Sequence, residues 1–301
     1  MRRHMLKRYL TVLAFIMFNT STFAVEKFPA FSSGITTGFP VGALPPPGMH
    51  MTVDTYVARA SEHVDGQGNK TSIKVENHVI APYLLWSTDW TVLGARYGAG
   101  ILQPFAQHKL DTSRVGGTST STRGLFNTIL MPVILSWDLG GGLFTSGGLA
   151  VYVPNGHKHY QDDKPTQENY ANDYWTLEPN VAISYLKDGW NFTVNNVFDF
   201  NRTNRSTDYQ SGTAYYMDVT AAKTLDRWTV GLIGNYSRQI ADDRQYGQVV
   251  GNGNRFEHVL LGPMIGYDLG DANLKLRYLH DVRTRNDLAV SMLHVSISFK
   301  L

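Results

Sequence analysis

The sequence predicts an all-β chain closed into a transmembrane antiparallel β-barrel of about twelve strands. Three observations carry this. Segments of alternating apolar and polar residues recur along the chain at roughly the length a tilted membrane strand needs. The connections alternate between short Asp- and Gly-rich turns and long polar loops. After residue 24, no apolar run approaches the ~18 residues of a spanning helix.

Residues 1–24 open with Arg2, Arg3, Lys7 and Arg8, continue with an apolar run from Tyr9 to Phe18, and end in Thr22, Phe23 and Ala24. This is the layout of a secretory signal peptide, and its run of about ten residues is too short for a permanent anchor. Its removal takes away four cations and no acid, so the formal charge moves from +2 to −2. No basic stripe survives to bind nucleic acid. Cysteine is absent, which excludes disulfides and thiolate zinc sites.

Residues 25–47, VEKFPAFSSGITTGFPVGALPPP, are too rich in Gly and Pro for a sheet interior. Two arrangements fit: a disordered periplasmic lead, or a hatch folded into the barrel with Phe28, Phe31, Phe39 and Leu44 packed against its interior. The barrel proper is expected over 48–301, with strands near 49–60, 73–87, 90–104, 122–138, 142–153, 173–187, 190–201, 213–225, 228–240, 255–268, 273–284 and 288–301. The last of these, SMLHVSISFKL, has Leu293, Val295, Ile297, Phe299 and Leu301 on one face and polar residues on the other, as a closing stave against lipid requires.

Short turns occur at STDW, DLGGG, KDGW, LDRW and DLGDAN, and long loops alternate with them. Short turns belong to the periplasmic side of an outer-membrane barrel, which places both termini there. Trp86, Trp90, Trp137, Trp190 and Trp228 sit beside the short turns and Trp175 beside a long loop, as interfacial girdles would.

Charge fixes strand parity, because a charged group is expensive against lipid and cheap in a wet lumen. Asp54, Lys74, Glu76, Arg96, Glu178, Asp218, Lys275, Arg277 and Asp281 are therefore expected inside, with Lys223 and Glu257 as exceptions at strand ends. Phe126, Leu130 and Ile134 fall on the inward face, as do Ile80, Leu84, Ile233, Leu260, Met264 and Leu279. Two accounts fit this apolar interior: packing against a plug, or an apolar track for a greasy small molecule.

The stretches PVGALPPPGMHMTVDTYVARAS and IAPYLLWSTDWTVLGARYGAGILQPF, with the terminal strand, resemble the phenol-degradation meta-pathway (MetA-pathway) family of exported proteins. The resemblance implies an outer-membrane transporter for small hydrophobic or aromatic molecules; it transfers no site residues. The expected function is passive uptake by a monomeric barrel surrounded by outer-membrane lipid, without cofactor or metal. The expected path is lined by Phe126, Leu130 and Ile134, with Glu76, Arg96, Glu178, Asp218 and Arg277 on its wet side. A structural or adhesive barrel with partner-binding loops is the alternative, and a surface lipid hydrolase a more distant one. His280 is expected to face lipid with no serine that has a convincing orienting partner at matched height, and no GxSxG occurs. His157, His159 and Asp162 make at most a weak metal site on a solvated loop.

Overall fold

The computed structural model describes residues 26, 29–113, 117–157, 160–161, 164–165 and 171–301; the expected signal peptide and Phe28 lie outside them. Twelve staves form the wall: β1 (Gly48–Val64), β2 (Lys70–Val92), β3 (Ala95–Leu102, resuming as Phe105–Asp111), β4 (Ser119–Leu125, resuming as Thr128–Gly140), β5 (Leu143–Val153), β6 (Thr176–Lys187), β7 (Trp190–Asn201), β8 (Ala214–Leu225), β9 (Trp228–Gln239), β10 (Glu257–Asp268), β11 (Ala272–Arg285) and β12 (Asp287–Lys300). Each pairs antiparallel with its sequence neighbour, and β1 closes the cylinder by pairing with both β2 and β12. Closure leaves the paired wall no edge, the only way a sheet satisfies its backbone in hydrocarbon.

Alternation is cleanest in β6 to β8. Glu178, Ala182 and Ser184, then Thr193, Asn195 and Asp199, then Tyr216, Asp218 and Thr220 are buried inside. Between them Leu177, Val181, Ile183, Phe192, Val194, Phe198 and Phe200 are exposed on the outer wall. Leu293, Val295 and Ile297 of β12 are likewise exposed. So many bare apolar side chains on a closed surface make sense only against lipid.

The periplasmic girdle takes shape at the short turns. Trp90 meets Trp86 edge-on at 5.0 Å and stacks on Tyr97 at 6.0 Å. Trp190 stacks on Phe192 at 5.0 Å, and Trp228 lies 4.5 Å from Tyr267. Lys223, an expected exception, reaches out to the Asp188 carbonyl at 2.5 Å with its ammonium 4.9 Å from the Trp190 ring, so its charge sits at the interface.

Three local features depart from expectation. The first short turn lies at Leu93–Gly94 rather than STDW; β2 runs on through a bulge between Ser87 and Thr91, with Ser87 and Thr88 buried. β1 and β2 exceed the roughly ten residues a membrane strand needs, so they rise past the bilayer, carrying the upper parts of β3 and β4 with them. There the cost of charge against lipid no longer applies, and Glu76 faces outward, bonded to Arg59 at 2.8 Å and His78 at 2.6 Å. Lys74 and Ile80 are exposed on the same face.

The third departure concerns Leu130. The β4 register shifts between Leu130 and Val133 in its pairing with β5, where Pro132 cannot donate to the ladder. The bulge moves Leu130 to the outer wall, 40% exposed, and brings Ile129 and Met131 inside, Ile129 to 5% exposure. Phe126 and Ile134 keep the inward positions expected of them.

Candidate functional site

Residues 29–47 lie within the barrel, descending along β6 to β9 and β11. Near the outer end, the Phe31 amide donates to Asp199 at 3.2 Å. The Gly34 and Thr36 amides and the Thr36 hydroxyl donate to the Asp218 carboxylate at 3.0, 2.9 and 2.7 Å. Gly38 N–H meets Thr220 at 2.7 Å, and Gly42 N–H meets Ser184 at 3.0 Å. Ser136 and Ser146 donate to the carbonyls of Gly42 and Val41, and Ser87 to that of Pro45, next to the start of β1. Arg96 donates to the Leu44 carbonyl.

The segment is built from successive tight turns, with i to i+3 bonds closing Ser32–Ile35, Gly34–Thr37, Thr36–Phe39 and Pro40–Ala43. Gly34 and Gly38 have φ near +80°, and a Cβ on Gly34 would stand 2.3 Å from Leu279. Both conformation and space therefore require glycine.

Its upper end is docked under the outer cap. The loops after β7 and β9 form a small sheet of Tyr209–Gln210, Arg244–Gln245 and Gln248–Val249. The Glu26 carboxylate accepts from Thr207 and Asn204 of the first loop at 2.7 and 3.0 Å, and its amide donates to Ser211 at 3.1 Å. The cap is knit by Asp243, which accepts from Tyr209, from the Gly212 amide at 2.8 Å and from Gln239 at 2.6 Å. Burial pushes its carboxyl up to about 6, leaving it mostly ionised at neutral pH. Glu26 thus stands at the outer end of the lumen, not in the periplasm where parity of turns and loops placed the N-terminal side. Leu301 does lie at the periplasmic end, its amide bonded to Met49.

A charged knot fixes the middle. Arg277 is fully buried; it donates to Asp54 at 2.8 Å, Ser296 at 3.1 Å, and the carbonyls of Thr37 at 2.7 Å and Ile35 at 3.0 Å. His294 meets the other Asp54 oxygen at 2.8 Å. Asp218, Arg96 and Arg277 thus hold the segment, while Glu178 is buried beside the remaining space. Phe31 packs on Tyr216 at 5.0 Å between ring centroids, Leu44 is buried, and Phe39 lies over Lys275 and Arg277.

That space is a cavity of about 1370 Å³ alongside the segment. It touches Thr207 and Tyr209 of the cap at one end and Asn273 and Lys300 at the other. Phe126, Ile129, Met131, Ile134, Leu149 and Tyr152 line its middle. Ile129 and Met131 were missed by simple alternation; Pro132 inside the strand is the signal of the bulge that turns them inward. The serines and threonines that hold the segment were also missed, although each is a small polar residue on an inward position.

His280 and Ser291 meet on the outer wall, Nδ1 to Oγ at 2.8 Å, a pairing made possible because the two residues are directly opposed in β11 and β12. Among the described residues no carboxylate bonds to this histidine. No group of three or more His, Cys, Asp or Glu able to hold a metal occurs among the described residues; His159 and Asp162 lie outside them.

A closed cylinder with an apolar outer wall, tryptophan girdles and a polar, occupied lumen defines an outer-membrane β-barrel. The chain belongs to the family described as "Putative MetA-pathway of phenol degradation", whose model matches residues 60–291. Its fold is similar to that of an outer membrane channel from Pseudomonas putida F1, at 14% identity over 92% of this chain and 100% of that one, with a TM-score of 0.75. It is also similar to the translocator domain of the autotransporter NalP from Neisseria meningitidis, at 11% identity over 85% of this chain and 90% of that one, with a TM-score of 0.52. No curated protein matches the sequence.

Proposed function

We propose that this barrel is a passive outer-membrane channel for small hydrophobic or aromatic compounds, which move through the space beside residues 29–47. The observation that carries this is the continuous apolar cavity between the cap and the periplasmic end, walled by the segment on one side and by β4 and β5 on the other. The segment serves as a fixed inner lining that narrows the bore to one small molecule. Its amides and carbonyls are bonded to buried wall groups, so lifting it out whole would give up several hydrogen bonds at about 0.5–1.5 kcal/mol each. Movement is downhill, and no catalytic step is involved. Complete strand pairing within one chain supports a monomeric unit in contact with lipid, and the similarity to an outer membrane channel agrees with the reading.

The test is uptake of toluene by cells with an intact outer membrane, comparing the natural protein with Met131→Asp and Ile134→Asp. A carboxylate in the narrow apolar stretch is expected to slow uptake on the order of tenfold, a barrier of about 1.4 kcal/mol. Folding is checked by the heat-dependent electrophoretic shift of the barrel. Unchanged uptake by folded variants would rule out this route.

A further inference from the structure

Lys275 lies on the inner face of β11, near its periplasmic end and at the edge of the cavity. Among the described residues its ammonium makes no salt bridge or hydrogen bond; its neighbour is the Phe39 ring, whose centroid is 4.0 Å away. The guanidinium carbon of Arg277 lies 4.9 Å from the same centroid. The Asp54 carboxylate is already engaged by Arg277, His294 and Ser296, and Asp271, at the same end of the cavity, makes no salt bridge to Lys275 among the described residues. Phe39 itself is only partly buried and borders the cavity. A phenyl ring tethered to the chain therefore occupies a doubly cationic seat on the route, and one of the two cations makes no ion pair among the described residues.

We infer that the seat of Phe39 is a binding site for a monocyclic aromatic carboxylate, which Phe39 occupies as a tethered stand-in. The arriving ring takes the place of the phenyl group, keeping the attraction between cation and π face, and its carboxylate supplies the anion that Lys275 lacks. Phe39 needs only to rotate into the adjoining space, since the backbone on either side stays bonded to Thr220 and Ser184. The seat makes Lys275 a specificity-determining residue near the periplasmic exit and favours aromatic acids over plain arenes. This inference rests on the channel reading for its biological sense, and on the geometry alone for the site.

Titration calorimetry of the purified full-length barrel in detergent, with benzoate and toluene as probes, tests it. A site occupied by its own side chain binds more weakly by the fraction of time it is free. Phe39→Ala is thus expected to tighten benzoate binding on the order of tenfold, and Phe39→Leu, which keeps bulk without a π face, by an intermediate factor. Lys275→Met in the Phe39→Ala background should abolish the gain for benzoate and leave toluene within about threefold. All variants must show the heat-dependent mobility shift of a folded barrel; Phe39→Leu stands in should the alanine variant fail to assemble. The proposal is overturned if benzoate binding does not tighten, if the gain survives Lys275→Met, or if toluene gains as much as benzoate. Toluene uptake sensitive to Met131→Asp with flat benzoate titrations would sink this site alone; a benzoate gain without such sensitivity would sink the channel reading alone.

Discussion

Deleting residues 26–44 is expected to turn a nearly non-conducting barrel into a stably open one in planar bilayers, with single-channel conductance higher on the order of tenfold or more. Twelve strands enclose a bore between the filled eight-stranded barrels and the water-filled sixteen-stranded porins, so what fills the lumen decides whether ions pass. Here the filler is bonded to Asp199, Asp218, Thr220, Ser184 and Arg277. Once it is gone those groups face a space wide enough for water, which takes over their hydrogen bonds. The wall is closed by strand pairing alone and needs no contribution from the segment. Equal conductance with and without the segment would mean that these residues do not obstruct the lumen.

Arg277→Leu is expected to lower barrel stability by about 3–5 kcal/mol, the usual cost of removing one partner from a buried ion pair. The replaced guanidinium is fully buried and serves Asp54, Ser296 and two carbonyls of the inner segment. Leucine fills the volume but leaves the buried Asp54 carboxylate with only His294 and Ser296. Adding Asp54→Asn removes the uncompensated charge and should restore part of the loss. Urea unfolding in lipid vesicles measures both. A loss below about 1 kcal/mol for the single variant would show that Asp54 is hydrated and that the knot is not dry.

The architecture was legible because the physics of a lipid-facing wall is written in every second residue. Leu177, Val181 and Ile183 against Glu178, Ala182 and Ser184 state parity directly, and Asp–Gly and Gly-rich turns mark the periplasmic ends. Parity failed where a local rule stopped holding. Glu76 sits above the bilayer, where an outward carboxylate costs nothing and finds Arg59 and His78. Leu130 follows a bulge that Pro132 announces but that alternation cannot count. The descent of residues 29–47 through the lumen was the least legible part. It depends on long-range bonds, such as Gly34 to Asp218, whose partners are nearly two hundred residues apart and whose residue types are individually unremarkable. Gly34 and Gly38 hint at turns, and Phe31, Phe39 and Leu44 allow a hatch, but nothing near them in sequence decides between a hatch and a periplasmic lead.

A channel of this kind must admit an aromatic molecule to the lumenal space between the inner segment and β4–β5. The most direct measurement is anomalous diffraction from crystals of the full-length protein soaked with 4-bromotoluene. A bromine peak is expected inside the cavity, beside Ile129, Met131 or Leu149. Bromine found only on the outer wall around Leu177, Val181 and Ile183, with none in the lumen, would contradict it.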